Sequence, residues 1–220
     1  MLAIINYFVN TPLLELIAVL FSVLYVLLAA KVNLWCWPAA FISTALYSYI
    51  FYDVTLFMDS LLNIYYLVMA IYGWYCWRTP ANKLGLKNTS QITTTDIIQW
   101  PLIQHITFGI GLTALSLLIG YFMAHYTRAS FPFWDSATTV FAVFATYLVT
   151  QRVLENWLYW IVIDFVSIYL YIAKHLFATA VLFCFYVLIA AYGYFNWRKT
   201  VIKQRKQQSI SVQHTSLEPQ

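Results

Sequence analysis

Long apolar runs, broken by short polar stretches, fill the chain from about residue 13 to 197. Seven of them approach or reach the ~20 mostly apolar residues that a membrane-crossing helix requires. They fall at about 13–30, 34–52, 56–77, 99–123, 135–151, 157–173 and 176–197. Only helices and closed barrels satisfy their own backbone groups in hydrocarbon, and these runs are too long and continuous for barrel strands. The pattern predicts an all-α integral membrane protein with seven transmembrane helices. Two polar stretches are longer than the rest. Residues 78–98 (RTPANKLGLKNTSQITTTDII) read as an exposed linker, and 199–220 (KTVIKQRKQQSISVQHTSLEPQ) as a disordered basic tail. The tail reads first as a topology anchor, and its basic half also suits anionic lipid headgroups. The opening MLAIINYFVNTP has no basic n-region and no A-x-A cleavage site, so the first helix is expected to be retained.

Composition sharpens this picture. The 220 residues are 62% hydrophobic and only 9% charged, where a soluble domain carries about 25% charged residues. Mean hydropathy is +0.71. Such a chain cannot cover its surface with polar groups and needs the lipid bilayer as solvent. The net charge of +4 sits largely in the tail and a few loops, so it does not mark a nucleic-acid partner. Cys36, Cys76 and Cys184 lie far apart in apolar runs without metal-ligand spacing and read as small buried hydrophobes. No metal and no cofactor are implied. With the N-terminus outside, ten of the twelve Lys and Arg fall on the cytoplasmic side, leaving Arg128 and Lys174 outside. The excess predicts N-out, C-in topology.

Two helix ends repeat each other. IYGWYCWR (71–78) and AYGYFNWR (191–198) match at Tyr72-Gly73 with Tyr192-Gly193, and at Trp77-Arg78 with Trp197-Arg198. Upstream, Asn33…Trp37 aligns with Asn156…Trp160 after a three-residue slip. Two three-helix copies would lie inverted, and the extra helix 4 restores parallel orientation. The expected organisation is 1–78 as the first repeat, 79–130 as linker and connecting helix 4, 131–198 as the second repeat, and 199–220 as cytoplasmic tail. Parallel 3+1+3 repeats suit a transporter, with the substrate between the halves near mid-membrane. The alternative is that Trp74, Trp77 and Trp197 simply form an aromatic belt at the cytoplasmic interface.

The stretch ENWLYWIVID (155–164) puts a carboxylate inside an apolar helix. Trp157, Trp160 and Asp164 share one helical face, which Tyr171 extends. An intramembrane charge costs at least a few kcal/mol and belongs against protein or a water-filled path. Indoles attract a flat cation by roughly 0.5–2 kcal/mol each, and a carboxylate balances its charge or accepts its hydrogen bonds. Other helices offer comparable faces. Helix 3 aligns Asp59, Asn63, Tyr66, Trp74 and Trp77. Helix 2 aligns Trp37, Thr44, Tyr47 and Ser48, with a kink expected at Pro38. Helix 1 carries Glu15 and Ser22, and helix 5 carries Asp135, Thr139 and Thr146. The substrate-binding candidates are Trp157, Trp160, Asp164, Asn63, Tyr66, Trp37, Thr44, Tyr47 and Tyr171. Glu15, Asp59, Asp135 and Asn156 are candidates for gating or structure. The competing reading is that intramembrane hydroxyls and amides only join helices to one another.

Other functional classes fare poorly. A retinal protein needs a Lys in the middle of helix 7, and the nearest is Lys174 in a loop. No G-x-S-x-G or H-E-x-x-H is present, so no catalytic residue is assigned and an enzyme is not expected. His105 lies outside both repeats, and His125 and His175 fall at loops, which leaves little for a proton relay. A phosphorylated substrate would need an Arg cluster in the pathway, yet Arg78, Arg128 and Arg152 all sit at boundaries.

The spacing W-x-x-W-x-x-x-[N/D] at Trp157, Trp160 and Asp164 resembles that of the PnuC-type vitamin transporters. FPFWDS (131–136), ENW (155–157), YGW-x-x-W (72–77) and Glu15 are similar to the same family. The resemblance runs from about 13 to 198. It implies a SWEET-like fold of seven helices, homotrimers, and facilitated diffusion of a vitamin such as nicotinamide riboside across a bacterial inner membrane. It also implies trapping by a cytosolic vitamin kinase. Trp157, Trp160 and Asp164 match the family's binding positions, and Asn63 stands where a helix-3 amide is expected. Two positions depart from the nicotinamide riboside carriers: the signature ends in Asp164 instead of Asn, and Ala70 replaces an amide. A carboxylate suits an aminopyrimidine or a formal cation equally well, so thiamine is nearly as good a candidate. An ion-coupled carrier of another small aromatic metabolite is the remaining alternative.

Overall fold

The computed structural model describes residues 13–53, 57–78, 96–127, 129–175 and 177–215. Among these residues lie seven helices: α1 (Leu13–Ala30), α2 (Cys36–Asp53), α3 (Phe57–Arg78), α4 (Leu102–Tyr126), α5 (Pro132–Thr150), α6 (Asn156–Ala173) and α7 (Phe177–Thr215). Four segments are long and apolar enough to cross a membrane: Leu13–Ala30, Leu102–Tyr126, Asn156–Ala173 and Thr179–Gln207. In α2, α3 and α5 the Tyr, Ser, Thr and Asp residues dilute the aliphatic ones, and these helices fall short of that measure. Pro38 sits in the first turn of α2, where a missing backbone N–H costs nothing. It marks the start of the helix.

The largest departure from the sequence pattern is at the C-terminus. The last span was expected to end near 197 with a structureless tail from 199. Instead α7 continues to Thr215. No Gly or Pro interrupts 194–215, and its Lys, Arg and Gln residues are good helix formers. The extension is also tethered, because Gln204 Nε2 donates to Asp96 Oδ1 (3.0 Å) and Arg205 to the Gln99 side chain.

The helices fall into two compact units, one holding α1–α3 and the other α4–α7. In the first, α1 packs on α2 and α2 on α3. In the second, α4 packs on α5, α5 on α6 and α6 on α7.

Each unit contains the same turn. After α1, the N–H of Val32 donates to Ala29 O and that of Asn33 to Leu28 O, both at 3.0 Å. After α5, Arg152 donates to Val149 O and Val153 to Leu148 O, again at 3.0 Å. Both are Schellman closures. Val32 and Arg152 take the left-handed position, each with φ 56°, where a β-branched valine is rare. The next helix then starts with Trp37 N–H on Leu34 O (3.2 Å) and Trp157 N–H on Leu154 O (3.4 Å). The pairing is uniform at 120 positions, from Val32–Arg152 to Trp37–Trp157, Gly73–Gly193 and Trp77–Trp197. The three-residue slip expected upstream is absent: Trp37 corresponds to Trp157.

The first tryptophan of each pair lies flat against a glycine. A Cβ on Gly73 would come within 2.3 Å of the Trp37 ring, and one on Gly193 within 2.7 Å of the Trp157 ring. Trp77 meets Trp37 edge-on (5.4 Å, 89°), and Trp197 meets Trp157 likewise (5.6 Å, 87°). Trp77 and Trp197 are therefore buried packing residues, not members of an interfacial belt. Gly73→Ala and Gly193→Ala should each destabilise by about 1–3 kcal/mol through overpacking. Thermal unfolding in detergent checks this, and Gly109→Ala, where a Cβ meets nothing within 4 Å, should leave the midpoint in place or raise it.

Candidate functional site

α6 carries the polar stripe. Trp157, Trp160, Asp164, Ser167 and Tyr171 fall within about a quarter turn of one another on a helix of 3.6 residues per turn. The stripe divides between neighbours. At one edge Trp157, 3% exposed, is committed to Gly193 and Trp197 on α7. Trp160, half-buried, packs on the Ala142, Ala145 and Ile163 cluster beside Phe141 and Tyr159. The indole that keeps an open side is thus Trp160. Tyr171 tilts against Phe183 of α7 (5.0 Å, 43°).

Asp164 is 5% exposed. It has no hydrogen-bond or ion-pair partner among the described residues. Buried carboxylates are normally paired or hydrogen-bonded, so this one has an unfilled requirement. Ser167, also buried, lies one turn further on and brings a hydroxyl to the same stripe. It is not among the candidates the sequence offers. Its i+3 spacing from Asp164 was the available signal.

Asn156 begins α6, fully buried, with Nδ2 donating to Val153 O (2.6 Å). This bond closes the turn, while Oδ1 is buried without a hydrogen-bond partner among the described residues. Asp135 pairs with Lys174 Nζ (3.2 Å), joining the start of α5 to the end of α6. Both side chains are about a third exposed, and such pairs contribute 0–1 kcal/mol. Thr139 and Thr146 return their hydroxyls to Asp135 O and Ala142 O.

The remaining substrate-binding candidates, with Glu15 and Asp59, belong to the first unit, α1–α3. Trp37 is buried between Tyr25 and Trp77, the counterpart of Trp157. Thr44 donates to Ala40 O (2.8 Å) and Ser48 to Thr44 O (2.7 Å), so both hydroxyl protons are used locally. Ser43 reaches across to Ala18 O of α1, and Ser60 of α3 to Ser48 O of α2. Those two hydroxyls join helices. Tyr47 stacks on Phe51 (5.5 Å, 20°). Asn63 and Tyr66 are half-buried one turn apart on α3, Tyr66 tilting on Tyr65. Glu15 is half-buried in the first turn of α1. The Asp59 side chain lies outside the described residues. No group of three or more potential metal ligands occurs among the described residues.

Buried, unpaired polar chemistry on one helix of a strongly apolar, multi-helix chain marks a candidate functional site in a membrane protein. Comparison makes that specific. Residues 12–199 match the family described as nicotinamide mononucleotide transporter, and the chain belongs to that family. It is a family of transporters, not enzymes, and the chain is a multi-pass bacterial membrane protein. One similar protein is the nicotinamide riboside transporter PnuC of Escherichia coli K12, 26% identical over 174 residues (71% of this chain, 72% of the relative). The PnuC of Neisseria mucosa is 24% identical over 194 residues (84% and 72%). The riboflavin/roseoflavin transporter RibM of Streptomyces davaonensis is 24% identical over 165 residues, 75% of each chain. The fold is that of a solved vitamin B3 transporter PnuC, with TM-score 0.69 and 23% identity over 91% of this chain and 87% of that one.

The two indoles of α6 should separate experimentally. Trp157→Ala should cost about 3–5 kcal/mol of stability, as for a fully packed large side chain. Trp160→Ala should cost clearly less while weakening substrate binding more than tenfold. Unfolding midpoints and ligand titrations on both variants check the split; equal melting losses would contradict it.

Proposed function

We propose that this chain takes up an unphosphorylated, flat, cationic B vitamin, nicotinamide riboside in the first place, across the bacterial inner membrane. The observation that carries the reading is the buried carboxyl of Asp164, partnerless among the described residues, beside the half-open indole of Trp160. A cationic ring offsets the cost of the carboxylate, and the indole stacks on the ring. Similarity to nicotinamide riboside transporters supports the first substrate. Similarity to a riboflavin carrier supports a flat heteroaromatic more broadly. One observation favours thiamine as the second reading: Asp164 stands where the family resemblance leads one to expect an amide, and a carboxylate is a good acceptor for an aminopyrimidine. A phosphorylated form finds no cationic partner on α6 itself, which carries no Lys or Arg; Arg78 ends α3 and Arg152 stands in the turn before α6. Neither is on the stripe.

In this reading transport is facilitated diffusion, made productive by a cytosolic kinase that traps the vitamin. The seven helices form parallel, SWEET-like 3+1+3 repeats, which the twin turns and tryptophan–glycine contacts support. The N-terminus is outside and the C-terminus cytoplasmic, as the Lys and Arg distribution favours. The homotrimer rests on family resemblance.

Counterflow in proteoliposomes tests the proposal. Labelled nicotinamide riboside should exchange without any ion gradient and be displaced by the unlabelled vitamin. A requirement for a sodium or proton gradient would instead establish the ion-coupled alternative. If Asp164 sets selectivity, Asp164→Asn should move the ratio of thiamine to nicotinamide riboside affinity about tenfold toward the latter, equivalent to about 1.4 kcal/mol. An unchanged ratio removes the case for thiamine.

A further inference from the structure

The segment entering α4 is strapped to the turn that launches α6. Ile98 N–H donates to Arg152 O (3.0 Å) and Leu154 N–H to Ile98 O (2.9 Å), forming an isolated parallel bridge. Trp100 N–H donates to Glu155 Oε2 (3.2 Å). Glu155 is the N-cap of α6 but makes no cap bond to its own helix. Its carboxylate is turned toward α4 instead. One turn into α4, His105 closes the strap. Its Nδ1 lies 3.1 Å from Tyr159 Oη, and its Nε2 3.8 Å from Glu155 Oε2. Nε2 is buried without a hydrogen-bond partner. The imidazole is held between the rings of Trp100 and Tyr159, each 5.8 Å away.

A neutral imidazole has one donor and one acceptor nitrogen. With the proton on Nδ1, the Nε2 lone pair would face a carboxylate. With the proton on Nε2, that N–H points toward Glu155 and Nδ1 accepts from the Tyr159 hydroxyl. Only the second tautomer suits both neighbours.

Tyr159 is the residue before Trp160, and both pack on the Ala142–Ala145–Ile163 cluster. Tyr159 also meets Phe144 edge-on (5.5 Å, 76°). We propose that His105 is a positioning residue for the substrate site: by holding Tyr159 and facing Glu155 it fixes the first turns of α6, and with them Trp160 and Asp164. This rests on the reading that α6 binds the vitamin. It goes beyond that reading by giving α4, outside both repeats, a share in affinity.

The test uses the full chain in nanodiscs. His105→Phe keeps the ring and removes both nitrogens, Tyr159→Phe removes the hydroxyl alone, and His105→Asn retains an acceptor for it. Hydrogen exchange of amides 157–163 and calorimetric titration with nicotinamide riboside are read on each. His105→Phe and Tyr159→Phe should each speed exchange in these turns about tenfold and weaken binding about tenfold. The double variant should be no worse than either single one, and His105→Asn should fall within about threefold of wild type. Wild-type exchange and affinity in His105→Phe, additive losses in the double variant, or equal damage from Asn and Phe would each overturn the proposal. Should His105→Phe fail to fold, Tyr159→Phe against wild type decides by the same two readouts. If the wild type binds no nicotinamide riboside, the substrate reading fails while the exchange rates still decide the role of His105.

Discussion

A tryptophan pressed flat on a glycine sets the geometry on which the rest depends. In α6 the contact is Trp157 on Gly193, closed at the edge by Trp197. The missing Cβ allows the helix axes to approach, and the indole fills the space with a large buried surface. This contact fixes how α6 is rotated against α7. That rotation decides which side chains of the stripe are used for packing and which are left with unmet chemistry. The Trp157 ring is used for packing, with its Nε1–H left without a hydrogen-bond partner among the described residues; Trp160 keeps an open side, and Asp164 is buried without a partner among the same residues.

The same clamp occurs in the first unit at Trp37, Gly73 and Trp77, after the same Schellman turn. What differs is the cargo of the helix. At the positions of Trp160 and Asp164, α2 has Ala40 and Thr44, and the threonine donates to the alanine's carbonyl. One scaffold thus appears twice, and only the second copy bears the carboxylate and the second indole. An unpaired intramembrane carboxyl costs at least a few kcal/mol. Its retention on a clamped, well-packed helix is the physical reason to read α6 as the binding element.

Much of this was legible in the sequence, and particular residues show why the remainder was not. Helix number and most boundaries follow from hydropathy, because in lipid every backbone group must be satisfied within its own segment. The Trp157–Trp160–Asp164 stripe follows from spacing alone. Spacing does not say how a helix is rotated against its neighbours, so Trp157 and Trp160 looked equivalent until the contact with Gly193 separated them. The repeat was visible at Gly73 and Gly193 but misaligned upstream, because matching Asn33 to Asn156 favoured residue identity over backbone geometry. The aligned residues are Val32 and Arg152, which share a left-handed turn and no chemistry. The helical course of 199–215 was hidden by its polarity, which reads as disorder unless the tethers to Asp96 and Gln99 are known. His105 was dismissed as lying outside the repeats, and its partners Glu155 and Tyr159 are more than fifty positions away in sequence.

The central claim is that the buried carboxyl of α6 meets the vitamin. Calorimetric titration of nicotinamide riboside, and then thiamine, into wild type and Asp164→Ala tests it most directly. The account predicts saturable binding of at least one of them to the wild type, and loss of that heat in Asp164→Ala at an unchanged melting point or a raised one. Binding of undiminished affinity to Asp164→Ala would contradict it.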